Sequence, residues 1–347
     1  MSGYKVILLG TLLVLLSVRN SVAQDPHFSQ FYSAQTFLSP SLAGSSGGTR
    51  YTANYRNQWP GIQKTFQTYA VSADFYLSEY RSGFGALLVT DQAGSANLNT
   101  TNLGLQYSFR VPISDNLQFV PGLQFTFGQK SLDRSKLVFP DEVVTDTPTS
   151  GQIYLTNTKA QYVDFISSVF IYSRTLWMGI VADHLLRPNY SFMGDKTILP
   201  IKITNFGGMN FWHPNARRID EPRIASLCYR FEYQNSFKQL DIGGYVYGKV
   251  LDFGVWYRGV PLFNNSALDN HYADYDAVVM SVGVATGALH ITYSYDLQLS
   301  KLASYGAGAH EVSIGVEMNK LLGCVDCFSR RSSIIFHKNR PRNMKIN

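Results

Sequence analysis

The sequence predicts an all-β protein: a transmembrane antiparallel β-barrel of about 14 strands, preceded by an aromatic arm and followed by a basic periplasmic tail. Three observations carry this. An apolar leader marks the chain for export. After Gly44 the residues alternate with period two in segments of about ten, the length a tilted strand needs to cross a hydrocarbon layer. Charged residues make up only 16% and aromatics 14% of the 347 residues, whereas an average soluble domain carries about 25% charged residues. Low charge with 22 Tyr and 22 Phe suits strands that turn one side to lipid. A helical membrane protein would carry its apolar residues in unbroken runs.

Residues 1–23 read as a secretory signal peptide. Lys5 supplies the positive start, Val6–Val18 the apolar core and Ser21-Val22-Ala23 the small-residue cleavage site. Arg19-Asn20 closes the run before the roughly 20 apolar residues that a spanning helix requires. A membrane location therefore means a barrel.

Residues 24–48 form the arm. Few charges lie in Gln24–Gly44, which carries His27, Phe28, Phe31, Tyr32, Phe37, Leu38 and Leu42. Pro26 and Pro40 prevent a plain helix or a central strand. The segment must dock. It either packs on its own domain as an ordered terminus or receives a partner.

Residues 49–319 form the barrel. In Arg50–Arg56, Tyr51, Ala53 and Tyr55 oppose Arg50, Thr52, Asn54 and Arg56. In Gln67–Leu77, Tyr69, Val71, Ala73, Phe75 and Leu77 oppose Thr68, Ala70, Ser72 and Asp74. Asn102–Val111, Leu117–Phe127, Arg223–Tyr233, Leu289–Leu297 and Val312–Met318 repeat the scheme. Strands are expected near 49–57, 66–78, 82–91, 101–111, 116–128, 160–173, 175–184, 200–212, 222–233, 239–248, 250–259, 276–286, 288–297 and 309–319. Long connections, including 129–159 and 260–275, alternate with short ones such as 79–81, 112–115 and 287–288. Barrels put short turns in the periplasm and long loops outside. His213–Glu221, with Arg217 and Arg218, is a longer periplasmic turn. Period two alone also suits a soluble sandwich; the leader, segment length and Tyr-rich strand ends favour the barrel.

Residues 320–347 read as a periplasmic extension. The tail holds Arg330, Arg331, Lys338, Arg340, Arg342 and Lys345 and no acid after Cys327. The formal charge of +6 is thus a property of leader and tail, and the body between is slightly acidic. Export and this placement exclude nucleic acid as a partner. Cys324-Val-Asp-Cys327 lacks two further zinc ligands and a βαβ context, so a structural or incidental pair is expected.

Chemistry-bearing constellations are absent. There is no phosphate loop and no His pair at metal spacing. The expectation is a non-enzyme with no cofactor and no metal. Charges on the inward phase are the better candidates: Arg56, Asp74, Arg110, Asp164, Arg230, Glu232, Arg258 and Asp296. Either they satisfy one another as ion pairs, or they form a polar lumen that receives a polypeptide or passes a solute.

Gln24–Tyr32 (QDPHFSQFY) and Ser39–Gly44 (SPSLAG) resemble the opening motif of the PorP/SprF family, outer-membrane proteins of type IX secretion and gliding motility. Ser39 and Ser41 stand where the family usually has Asn and Ala. Asn54–Pro60 is similar to the family's first-hairpin motif, and Tyr293–Leu302 with Ser304–Val316 to its closing motif. The resemblance implies a non-enzymatic outer-membrane component that docks or anchors the C-terminal domain of a secreted cargo and contacts periplasmic ring and lipoprotein components. On that reading His27, Phe28, Phe31, Tyr32, Phe37, Pro40 and Leu42 plug the lumen or line the periplasmic mouth. Arg217, Arg218, Arg330, Arg331, Arg340 and Arg342 face periplasmic partners. A diffusion porin or solute transporter is the competing expectation, and a soluble exported β-protein the next.

Overall fold

A computed structural model of the chain describes residues 25–61, 66–94, 98–133, 158–173, 175–192, 196–212, 224–235, 237–248, 250–259, 277–299 and 308–318. The expectations for the leader, Gln24, Arg217, Arg218, Cys324, Cys327 and the tail fall outside these residues.

The strands are β1 (Thr49–Gln58), β2 (Phe66–Leu77), β3 (Ser82–Ala93), β4 (Leu98–Phe109), β5 (Val111–Ser114), β6 (Leu117–Ser131), β7 (Lys159–Tyr172) and β8 (Leu176–Asp183). They continue with β9 (Lys202–Trp212), β10 (Ile224–Gln234), β11 (Phe237–Tyr247), β12 (Leu251–Arg258), β13 (Ala277–Thr286), β14 (Leu289–Gln298) and β15 (Ala309–Met318). Neighbours pair antiparallel in chain order, except that β4 and β5 both pair with β6. The first and last strands join from Thr49↔Met318 to Gln58↔Ala309, which closes the sheet into a barrel. Together β4 and β5 act as one stave broken at Arg110, so the barrel has fourteen staves with one short extra strand.

That break corrects the expected turn at 112–115. Val111–Ser114 continues as strand, and the turn shrinks to Asp115-Asn116. Pro112 is tolerated because β5 pairs with β6 alone and needs no donor on its other side.

Outward residues are large and apolar; Leu105 and Val255 are each 58% exposed. Inward residues are buried in strict alternation, as in the first strand, where Arg50, Thr52, Asn54 and Arg56 are all buried. Such inversion, apolar side out and polar side in, suits lipid outside. The inward face is not polar all round, however. From β7 to β13 it carries Phe170, Tyr172, Trp177, Val181, Phe206, Tyr245, Tyr247, Trp256 and Val279. These side chains need an apolar partner inside the barrel, and the arm supplies it.

Candidate functional site

The arm runs inside the barrel from the long-loop end to the short-turn end. Its path is a loop from Asp25, a single helical turn α1 (Gln35–Leu38), a 3-10 turn (Pro40–Leu42) and a tight bend into the first strand. Pro40 occupies the first position of the 3-10 turn, where its missing N–H costs nothing. Phe28, Phe31, Leu42, Ser39 and Gln30 are at most 1% exposed.

Near the long-loop end Asp25 accepts hydrogen bonds from His184 Nε2 at 2.8 Å and Gln234 Nε2 at 3.0 Å, with Lys202 Nζ at 3.7 Å. His184 Nδ1 lies 2.5 Å from Asp164 Oδ2, so one ring bridges two carboxylates. Burial pushes the Asp25 carboxyl up, but the charges on His184 and Lys202, with the two hydrogen bonds, hold it well below the usual carboxylate range. Burial works against a charged His184 ring; the Asp25 charge and the hydrogen bonds to Asp164 and Asp25 prevail and raise it to about 10.

One layer further in, Glu311 accepts the backbone N–H groups of Ser29 at 2.7 Å and Gln30 at 2.9 Å. The Ser29 hydroxyl donates to Asp296 at 2.7 Å and accepts from Arg56 at 2.6 Å and Arg258 at 2.8 Å. Arg230 donates to the Phe28 carbonyl at 2.9 Å. Behind these contacts the charges form one chain. Arg56 and Arg258 both reach Asp296, and Arg258 and Arg230 both reach Asp241, with Glu232 3.7 Å from Arg230. The belt spans strands from β10 to the first strand and pairs its own charges while holding the arm's backbone. Pairing of this kind is what permits such charge at low exposure.

The middle of the arm is apolar. Phe31 meets Trp256 edge-on at 4.9 Å and lies under the Arg230 guanidinium at 5.1 Å. Tyr32 packs on Tyr245 at 4.2 Å and donates to Ser281 at 3.1 Å. Phe28 and Phe37 meet at 4.9 Å. Thr36 donates to Ser72, and Ser168 accepts the Ser41 N–H.

At the short-turn end Arg50 donates to Asp74 at 2.9 and 3.0 Å, to Gln35 and to the Leu42 carbonyl. Asp74 also accepts the Gly44 N–H at 2.7 Å. Arg110, at the strand break, donates to the Gly44 carbonyl at 2.7 Å and covers the Tyr76 ring at 4.0 Å. Gly44 has φ of +70° and Gly83 faces the arm where an added Cβ would lie 2.1 Å from the Ala43 oxygen; only glycine permits that approach.

All eight inward charges named from the sequence thus touch the arm or its supporting network. Sequence reasoning missed Asp25, Arg50, Lys202, Asp241, Glu311 and His184. Asp241 and Glu311 stand on the inward phase of their strands and were visible in that sense; His184 lies past a strand end and had no such signal.

On the opposite side of the lumen a cavity of about 440 Å³ remains between the arm and strands β1–β9. Phe37 and Pro40 of the arm form part of its wall, with Trp59, Asp91, Lys130 and Tyr162 among the barrel residues. Among the described residues no cluster of three or more His, Cys, Asp and Glu is arranged to hold a metal.

A closed barrel with apolar residues outside and a lumen filled by its own chain defines the class: this is an outer-membrane β-barrel. Residues 20–316 match the family described as the type IX secretion system membrane protein PorP/SprF, and the chain belongs to that family. No curated protein matches it in sequence. Among solved structures it is similar to the Ralstonia pickettii toluene transporter TbuX, with 11% identity, 83% of this chain and 94% of that chain covered, and a TM-score of 0.47. The Acinetobacter baumannii outer membrane protein Omp33 gives 6% identity over 79% of this chain and 100% of that one, with a TM-score of 0.42. The P. putida toluene transporter TodX gives 9% identity over 81% and 93%, also at 0.42.

Proposed function

We propose that the protein is a non-enzymatic docking barrel of the type IX secretion and gliding machinery. It holds the C-terminal domain of a secreted cargo at its long-loop, extracellular end and contacts ring and lipoprotein components at its periplasmic end. The observation that carries this reading is the arm. A segment anchored at both ends and the middle of the lumen leaves a rigid stopper, which serves a fixed platform better than a route for solutes. In this reading His27, Phe28, Phe31, Tyr32, Phe37, Pro40 and Leu42 are the plug. The belt of Arg56, Arg230, Arg258, Glu232 and Asp296, with Asp74, Arg110 and Asp164 at the two ends, holds it. Arg217, Arg218 and the basic tail residues Arg330, Arg331, Arg340 and Arg342 meet periplasmic partners, after removal of the leader 1–23.

Affinity purification of the mature barrel from native envelopes in mild detergent tests the reading. Recovery of a large secreted protein through its C-terminal domain is the expected result. Recovery of the barrel alone, with solute-permeable channels in a planar bilayer, would instead establish a diffusion porin or solute transporter. Deleting residues 328–347 should reduce recovery of periplasmic components; unchanged recovery would remove the tail from the account.

A further inference from the structure

The cavity beside the arm holds two charges of opposite sign that the rest of the lumen does not neutralise. Asp91 of β3 accepts one hydrogen bond, from Thr68 at 2.6 Å, and has no cationic partner within ion-pair distance among the described residues. Lys130 of β6 has no carboxylate partner among them; its ammonium lies over the Tyr190 ring at 4.1 Å and the Phe192 ring at 5.8 Å. The charges of the belt and of the Asp25 anchor are held in ion pairs among the described residues, so these two stand apart.

Register places them opposite each other. Asp91 pairs with Thr100, and Thr100 pairs with Lys130, so one strand separates them. Two inter-strand spacings put their backbones about 10 Å apart. Both side chains line the cavity, and so does Trp59, whose buried indole N–H has no acceptor among the described residues. A second buried nitrogen, His27 Nε2 on the arm, lines the same cavity without a partner among the described residues. Buried polar groups in native proteins find partners, so a cluster left open around one cavity points to an absent polar ligand. The volume lies within the range of ordinary ligand sites.

We infer that this cavity binds the end of a polypeptide, with a carboxylate on Lys130 and a cationic side chain about three residues earlier on Asp91. An extended peptide rises about 3.3 Å per residue, so three residues span the gap between the two charges. Trp59 donates to a carbonyl of the bound segment, and Tyr190 and Phe192 cover the carboxylate end. The groups left open around the cavity are side chains, so recognition falls to them rather than to strand addition. The identity of the occupant as cargo rests on the docking reading; the existence of the site does not.

Titration calorimetry on the full barrel in detergent tests it with three probes: acetyl-Arg-Ser-Ser-Ala with a free C terminus, the same peptide as its amide, and acetyl-Gln-Ser-Ser-Ala. The free acid should bind roughly tenfold tighter than the amide, as expected for one charge-assisted contact. Lys130→Gln should abolish that preference and keep the preference for Arg over Gln, and Asp91→Asn should do the reverse. Thr100→Trp, which fills the space between the charges without removing either, should block all three peptides. Retention of the acid preference in Lys130→Gln, or no binding of any peptide to the unaltered barrel, would overturn the site. A parallel capture of cargo C-terminal domain separates the two ideas. Discriminating peptides with no captured cargo would keep the site and remove the docking reading, and captured cargo without peptide discrimination would do the opposite.

Discussion

Ser29 is a small residue with a saturated role. A hydroxyl offers one donor and two acceptors, and here Asp296, Arg56 and Arg258 use all three. Ser29→Ala therefore leaves two guanidinium groups and a carboxylate short of partners. It should cost about 2 kcal/mol, read as an earlier unfolding midpoint of the refolded barrel in urea; an unchanged midpoint would show that water replaces the hydroxyl without loss. The Asp25 anchor gives a pH signature. His184 rises from 6.5 to about 10, so its contribution is complete below about pH 6.5, declines above it and is gone beyond about pH 10. Asp25 is depressed, so its contribution is present above its ordinary value of 3.8 and is lost as pH falls below it. The arm's outer end should be held most firmly between roughly pH 4 and 6.5. A fluorophore on a cysteine introduced at Pro26 should stay protected there and become quenchable by iodide near pH 10.5. Quenching independent of pH would contradict the His184 bridge.

At the scale of elements, the arm and the barrel wall are fitted backbone to side chain. An added Cβ at Gly122 would lie 2.2 Å from the Ser41 nitrogen and 2.4 Å from its Cα, where no flexible side-chain end can give way. Gly122→Val should displace the 3-10 turn, and a cysteine placed at buried Ser41 should then react with a water-soluble maleimide. Gly315→Ala is the control, since its nearest neighbours stand at 3.9 and 4.0 Å. Its labelling should match the unaltered protein. The strands were legible beforehand because each lipid-facing residue alternates with a lumen-facing one, as in Tyr69, Val71 and Phe75 against Thr68, Ser72 and Asp74. The break at Arg110 was not legible, because it is made by the Gly44 carbonyl, a group far away in sequence. Nor was the aromatic lumen face. In β8 and β13 apolar residues occupy both faces, which period-two reading cannot resolve until the arm provides a second apolar neighbour. The arm's docking was expected from its aromatics and prolines. Its partners were hidden, since Glu311 and Ser29 lie 282 residues apart.

For the whole molecule, the first and last strands pair along ten residues while Glu311 of β15 and Arg56 of the first strand both grip the arm. Closing the barrel and seating the arm thus use the same two strands. The consequence is a barrel whose lumen is occupied by its own chain. That claim is tested most directly by single-channel recording in a planar bilayer, comparing the intact protein with the Gly122→Val variant and with a form lacking residues 25–44. The account predicts no steady conductance from the intact barrel and steady conductance once the arm is displaced or removed. Equal, steady conductance from all three would contradict it.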